Sequence, residues 1–351
     1  MRGAGGGRYH PAVPNAPQPE LAPVQAVLPR HLGDTVLALP ALRLLAAAAA
    51  PRRVVTLSEG PGAQVVRGRG WDVAAPERLG PGPVVLLSSS FRSALQALRA
   101  GSRPRIGEAT DSRRLLLTDV VPGPVRPFST RTQGRRLPRL LVKEHQADAY
   151  VRIVRSALAV LHLDVPPPPL VDLKIDPPNM AEGRRAWETA GRPSVVLHPC
   201  AAGASTKLWP AAHWIQLARD LRGRCVITGG PSADDASLAA QIGAAAQVQV
   251  FAGCDALPVM PWASFALAAG TVVCPDTGVA HLARAVGAHV VAIFGSSDPR
   301  RHAPRGSGAF SLLHGGADVP CSPCYRDRCS EAHHNCMNGV SAARVLEAVQ
   351  A

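Results

Sequence analysis

The stretch Thr271-Val272-Val273-Cys274-Pro275-Asp276-Thr277-Gly278-Val279-Ala280-His281-Leu282-Ala283 passes from an apolar run through a short polar turn into a helix-like segment. A second apolar run, Val290–Phe294, follows it. Residues 271–274 and 290–294 read as buried strands and 279–286 as the helix between them, so this is a βαβ unit. The alternation recurs along the chain. Val24–Leu28, Val54–Leu57 and Val84–Leu87 read as strands in the first half, with helices at Thr35–Ala49 and Phe91–Ala100. Ser194–Leu197 and Cys225–Thr228 read as strands in the second half, with helices at His213–Leu221 and Ser237–Ala245. Such alternation predicts parallel sheets covered on both faces.

The length of 351 residues predicts two domains at roughly 150 residues each. Pro166–Pro169 and Pro177–Pro178 predict an extended linker. The expected organisation is therefore a flexible tail at 1–23, a first domain at 24–165, a Pro-rich linker at 166–192, a second domain at 193–337 and a C-terminal helix at 338–351. Each domain is expected to be doubly wound and Rossmann-like, the two facing a cleft. Ligands then bind beyond the C-terminal ends of the strands.

Composition narrows the function. Hydrophobic residues are 46% and charged residues 18%, which excludes a mainly disordered chain. No uninterrupted apolar run reaches the roughly 20 residues of a membrane span. Residues 1–23 hold Arg2, Arg8 and five prolines but no apolar core, so no secretory signal is expected. The reading is cytoplasmic, with reduced cysteines. The net charge of +13 points to a polyanionic partner. Aromatics are only 4%, which argues against a single-stranded nucleic acid partner, since that mode needs stacking platforms. Between Arg92 and Lys143 stand 12 basic and three acidic residues, nine of the thirteen net charges. The partner expected there is a phosphorylated glycan or glycolipid, or the anionic inner face of the cytoplasmic membrane near Asp34. Arg135, Arg136 and Arg139 are the residues to test for it.

Three strand ends carry candidate chemistry. Leu28-Pro29-Arg30-His31-Leu32-Gly33-Asp34-Thr35 follows the first strand and opens the first helix. Gly33 permits a tight turn. Asp34 is either an N-cap or a general base whose charged form the helix dipole favours. His198-Pro199-Cys200-Ala201-Ala202-Gly203-Ala204-Ser205-Thr206-Lys207 is a loop of small residues, where backbone N–H groups and Lys207 could meet a phosphate. Lys207 as a solvated surface lysine is the bland alternative. In the third, the N–H groups of Thr277, Gly278 and Val279 face an anion, Asp276 bonds sugar hydroxyls, and His281 lies one turn on, either near the anion or simply packed. A weaker loop, Thr228-Gly229-Gly230-Pro231-Ser232-Ala233-Asp234-Asp235, offers Gly230 for close backbone approach and Asp234 for ribose hydroxyls, or only a helix cap. Phe294-Gly295-Ser296-Ser297-Asp298-Pro299 ends another strand on the same edge.

Together these residues resemble glycosyltransferase family 9, the lipopolysaccharide heptosyltransferases. The resemblance rests on Leu32–Leu42, Lys207-Leu208-Trp209-Pro210, Asp276-Thr277-Gly278 with His281-Leu282-Ala283, and Gly295 with Asp298-Pro299. It implies an α/β GT-B fold, with acceptor on the N-terminal domain and nucleotide-sugar on the C-terminal one. It also implies inverting transfer of a heptose or related sugar from an ADP-sugar, without a catalytic metal or other cofactor. By motif, Asp34 is then the base, Lys207 a phosphate contact and Asp276 a heptose contact, with Thr277, Gly278 and His281 at the diphosphate. One departure is Cys200, where the family's phosphate loop usually has glycine. Some relatives modify autotransporter proteins or natural products. A GT-B-fold sugar-nucleotide epimerase is a rival, needing its own acid/base pair. A Rossmann oxidoreductase would need Gly-x-Gly-x-x-Gly after a strand, and none is suitably placed. The non-enzymatic rival is a nucleotide-binding or metal-cluster scaffold.

Cys321, Cys324, Cys329 and Cys336 crowd the C-terminus, beside His333 and His334. Four thiolates at this spacing suit a structural zinc or iron. Autotransporter heptosyltransferases resemble this arrangement with bound iron. The alternative is four reduced thiols packed beside the last helix.

Overall fold

The computed structural model describes residues 22–69, 71–123, 144–167, 171–201, 203–251, 257–331 and 333–351. Most of the expected tail, and the segment 124–143 with Arg135, Arg136 and Arg139, lie outside the described residues.

The first half runs β1 (Val24–Val27), α1 (Leu32–Ala49), β2 (Val54–Leu57), α2 (Gly60–Val66), β3 (Asp72–Ala74), β4 (Gly82–Leu86), α3 (Phe91–Arg99), β5 (Ser102–Glu108), β6 (Asp119–Val121) and α4 (Gln146–Val160). Its strands form one sheet in the order β3-β2-β1-β4-β5-β6. The second half runs α5 (Pro177–Thr189), β7 (Val195–Leu197), α6 (Ala211–Asp220), β8 (Cys225–Thr228), α7 (Ala233–Ala246), β9 (Val250–Phe251), α8 (Val259–Ala269), β10 (Thr271–Pro275) and α9 (Gly278–Ala285). It continues with β11 (His289–Phe294), α10 (Pro299–His302), β12 (Phe310–His314), α11 (Asn335–Asn338) and α12 (Ala342–Gln350). Its sheet order is β12-β11-β10-β7-β8-β9. Every pairing in both sheets is parallel. Counted within its own half, each sheet has the same doubly wound order, with a switch point between its first and fourth strands. Those strands are β1 and β4 in one sheet and β7 and β10 in the other.

The strands read from the sequence are the central ones. β1 is buried at all four residues, as a parallel strand covered on both faces must be. The short edge strands β3, β6 and β9 lack such runs and carry Asp72, Asp119 and Val250 at exposed or half-buried places. α1 is apolar nearly all round, and such a helix must be buried. It is long and apolar enough to cross a membrane by length and composition alone, yet two thirds of it is buried inside the protein.

Helix α5 occupies much of the segment read as a linker. Its prolines stand at the helix start, where a missing N–H costs nothing. The Asp176 carboxylate caps it, accepting from the Asn179 N–H at 3.1 Å. α5 lies tightly on α8, and a Cβ on Gly183 would come within 2.2 Å of the Pro261 carbonyl oxygen. One apolar cluster joins the halves, running from Val24 and Leu37 through Ile153 to Phe265, Val279 and Phe294. An interface of this kind favours a fixed arrangement of two domains over a loose one.

Candidate active site

The turn between β1 and α1 is locked by Thr35, whose buried hydroxyl donates to the Pro29 carbonyl at 3.0 Å. His31 is the N-cap of α1, and Asp34 stands in its first turn. Gly33 has ordinary helical geometry, so the expected tight turn is not its role. A Cβ there would lie 2.7 Å from Cδ2 of His281 and 3.3 Å from Cα of Gly278. A Cβ on Gly278 would likewise lie 3.1 Å from the Gly33 nitrogen. The two glycines let the starts of α1 and α9 touch across the domain junction.

Asp34 lines a cleft of about 670 Å³. The cleft wall is mainly first-half chain, including Arg30, His31, Glu59, Ser88–Ser90, Arg92, Arg113 and Tyr150. Arg301 and His302 close it from the other side. The Tyr150 hydroxyl donates to Oδ1 of Asp34 at 3.2 Å. Burial raises the Asp34 carboxyl above its ordinary value; His31, Tyr150 and Lys207 pull it down and Asp276 pushes it up.

Lys207 and Asp276 come from loops after different strands and meet. Lys207 Nζ lies 2.8 Å from Oδ2 of Asp276. Ser297 Oγ donates to the same oxygen at 2.6 Å. Burial alone would raise Asp276, but Lys207, His302 and the two hydrogen bonds outweigh it and hold the carboxyl below its ordinary value. Lys207, Asp276 and Ser297 are not among the residues lining the cleft, yet the charges of Lys207 and Asp276 act on Asp34. Thr277 is the N-cap of α9, so the N–H groups of Thr277, Gly278 and Val279 sit where a helix start offers donors to an anion.

His281 is buried beneath Gly33, facing the first half of the chain. Burial holds it down at about 4, so it is neutral at ordinary pH. Among the described residues its Nδ1 has no hydrogen-bond partner. His198 is likewise a buried neutral histidine, held at about 4 by burial, with Nδ1 3.1 Å from Thr228 Oγ1. Gly230 lies in the loop after β8, and Asp234 stands in the first turn of α7. Asp234 is exposed. The capping box of α7 is made by Ser232 and Asp235, not Asp234.

Cys321, Cys324, Cys329 and Cys336 line one small pocket with Thr206, Glu331, His333 and His334. Burial pushes Cys336 up to about 11, with Cys324, Cys321 and Cys329 adding to the effect. Among the described residues, no group of three or more His, Cys, Asp or Glu side chains is arranged to hold a metal ion. Cys336 is buried, while Cys329 is exposed and donates to the Glu331 carbonyl at 3.1 Å. The same segment grips the Lys207 loop. Ser205 N donates to the Asp327 carbonyl at 2.9 Å, and His334 Nε2 lies 3.1 Å from the Thr206 carbonyl.

Tyr150 and His302 carried no local signal, since each joins the site from a distant helix. Ser297 was legible as a polar residue at the end of β11.

Two doubly wound domains around a cleft, with charged groups at both switch points, define the GT-B class. The family profile of glycosyltransferase family 9 (heptosyltransferase) matches residues 83–334. The chain belongs to that family and is a glycosyltransferase. It is 33% identical over 129 residues to lipopolysaccharide heptosyltransferase 1 of Pseudomonas aeruginosa PAO1, a match covering 36% of this chain and 34% of that protein. It is 28% identical over 281 residues to lipopolysaccharide heptosyltransferase 2 of Escherichia coli K12, covering 76% and 74%. The solved structure of E. coli ADP-heptose lps heptosyltransferase II superposes with a TM-score of 0.67 at 21% identity, over 93% of this chain and 97% of that one.

Proposed function

We propose that the chain is an inverting glycosyltransferase moving a heptose or related sugar from an ADP-sugar to a hydroxyl of a lipopolysaccharide inner-core-like acceptor. The observation that carries this reading is the opposed state of two carboxylates at the two switch points. Asp34 faces the cleft with a raised proton affinity, which suits a base. Asp276 is held ionised by Lys207 and Ser297. The first domain, 24–165, takes the acceptor, and the second, 193–337, takes the donor.

In this reading Asp34 accepts the proton of the acceptor hydroxyl. The freed oxygen attacks the anomeric carbon from the face opposite the diphosphate, and the sugar–phosphate bond breaks. Lys207 and the N–H groups of Thr277, Gly278 and Val279 meet the charge that develops on the leaving group. Asp276 orients Lys207 and accepts from sugar hydroxyls. Buried and neutral, His281 supports the junction of the two helix starts. Gly230 and Asp234 stand where a ribose contact would fall. The enzyme works in the cytoplasm, with its basic first domain toward the anionic inner membrane face.

Calorimetry with ADP-, GDP- and UDP-sugars tests the donor. Tighter binding of the ADP-sugar is expected, and equal or tighter binding of the others overturns it. NMR of the product must show an inverted anomeric centre, since retention contradicts a base mechanism. Transfer only to an autotransporter protein or a natural product would move the acceptor to another class. A zinc or iron bound by Cys321, Cys324, Cys329 and Cys336 would brace the segment that grips the Lys207 loop, away from the chemistry. Elemental analysis of the purified protein must find it in stoichiometric amount, or this part of the reading falls.

A further inference from the structure

Tyr150 lies on α4, 116 residues from Asp34 in the chain. It is buried, and its hydroxyl is the hydrogen-bond donor that reaches Asp34 Oδ1 from outside α1. Gln146, Tyr150 and Ile153 share one face of α4, at helical spacing, and all three line the cleft. The first turn of α4 is tied to the opposite domain at three points. Arg301 Nη2 donates to Gln146 Oε1 at 2.7 Å. Arg305 makes a forked pair with Asp148, at 2.7 and 2.8 Å. His145 Nε2 lies 2.9 Å from the Ala303 carbonyl oxygen. The Nδ1 atom of His145 accepts from the Ala147 N–H at 3.2 Å, which places its proton on Nε2 as the donor to Ala303. Residues 301–305 in turn follow Ser297 and Asp298, at the end of β11, where Ser297 holds Asp276.

We propose that Tyr150 is a positioning residue for Asp34, and that the 301–305 segment of the donor domain sets its reach by clamping the first turn of α4. The carboxylate in the acceptor-side cleft is thus aimed by the domain that carries Lys207 and Asp276. The inference rests on Asp34 as base, and its test separates the two. The groups facing Asp34 are His31 from its own helix start, Tyr150 from α4, Asp276 from the turn after β10 and Lys207 from the loop after β7. Of these, Tyr150 is the neutral donor, and it favours the ionised form by hydrogen bonding.

The test follows the Asp34 carboxyl directly, by NMR titration of protein labelled with carbon-13 at aspartate, the resonance being assigned with Asp34→Asn. Tyr150→Phe keeps the ring and removes the hydroxyl. The Asp34 midpoint should rise by about one pH unit, a roughly tenfold loss of the ionised form below it. The acid limb of the transfer rate should move with it, while ADP affinity stays. An unmoved midpoint overturns the role of Tyr150. Asp148→Lys turns the exposed pair with Arg305 into a repulsion without touching the core. By charge alone it would lower the Asp34 midpoint; by releasing α4 it should raise it. A lowered or unchanged midpoint overturns the clamp. In the Tyr150→Phe background Asp148→Lys should no longer raise the midpoint, and a further rise means that the clamp acts by some route other than Tyr150. Full transfer by Asp34→Asn would instead overturn the base reading, leaving the titration results standing on their own.

Discussion

Asp34 and Asp276 each stand beside the switch point of their own sheet, and both are largely enclosed, yet their surroundings push them in opposite directions. Asp276 has a lysine at 2.8 Å and a serine hydroxyl at 2.6 Å, which together outweigh burial. Asp34 has one phenolic donor at 3.2 Å, and burial wins. Paired carboxylates whose surroundings separate their proton affinities commonly divide the work between them. In the proposed mechanism Asp34 takes a proton, while Asp276 stays charged and holds a cation.

The largest effect expected from this contrast is at Asp34. Asp34→Ala should lower transfer by about 10²–10⁴-fold, the range for a positioned base. ADP binding measured by calorimetry should be unchanged. Retained turnover would erase the contrast. Next is Lys207→Met, which removes the cation from the Asp276 side. ADP affinity should fall by roughly tenfold to a hundredfold, the worth of a charged hydrogen bond of about 1.5–3 kcal/mol. Because Asp276 then ionises only at higher pH, with no cation between it and the diphosphate, the loss should deepen as pH rises.

A third variant tests the spacing that lets the two carboxylates feel each other. Gly33→Ala forces a methyl against His281 and Gly278, and should cost about 1–3 kcal/mol in urea unfolding. An unchanged midpoint would mean that the junction yields readily. The smallest effect concerns stability and pH. Asp34 binds its proton more tightly folded than unfolded, so its contribution is present below its ordinary value of 3.8 and is lost as pH rises through the folded midpoint. Asp34→Asn should therefore raise Tm at neutral pH, with the gain vanishing in acid. Asp276 runs the other way, stabilising above 3.8 and losing that contribution as pH falls through its folded midpoint.

The sequence made the second half of the chain more legible than the first, for physical reasons. β7, β8, β10 and β11 are unbroken apolar runs of central parallel strands, each followed at once by its polar loop, so Lys207 and Asp276 announce themselves locally. β3 and β6 are short edge strands with charged residues, and their partners cover only one side. α5 was hidden by its own prolines, which signal an extended chain until they stand at a helix start. Tyr150 and His302 act through tertiary approach, which no spacing encodes. Gly33 was noticeable for the wrong reason, since what it accommodates is the neighbouring domain.

That last contact has an electrical consequence. The starts of α1 and α9 are both positive helix ends, each worth about half a charge. Pressing them together brings two like poles to one place beside the cleft. An anion settling there answers both poles at once. In the proposed function the donor's diphosphate is that anion, so that charge as well as packing would join the two domains.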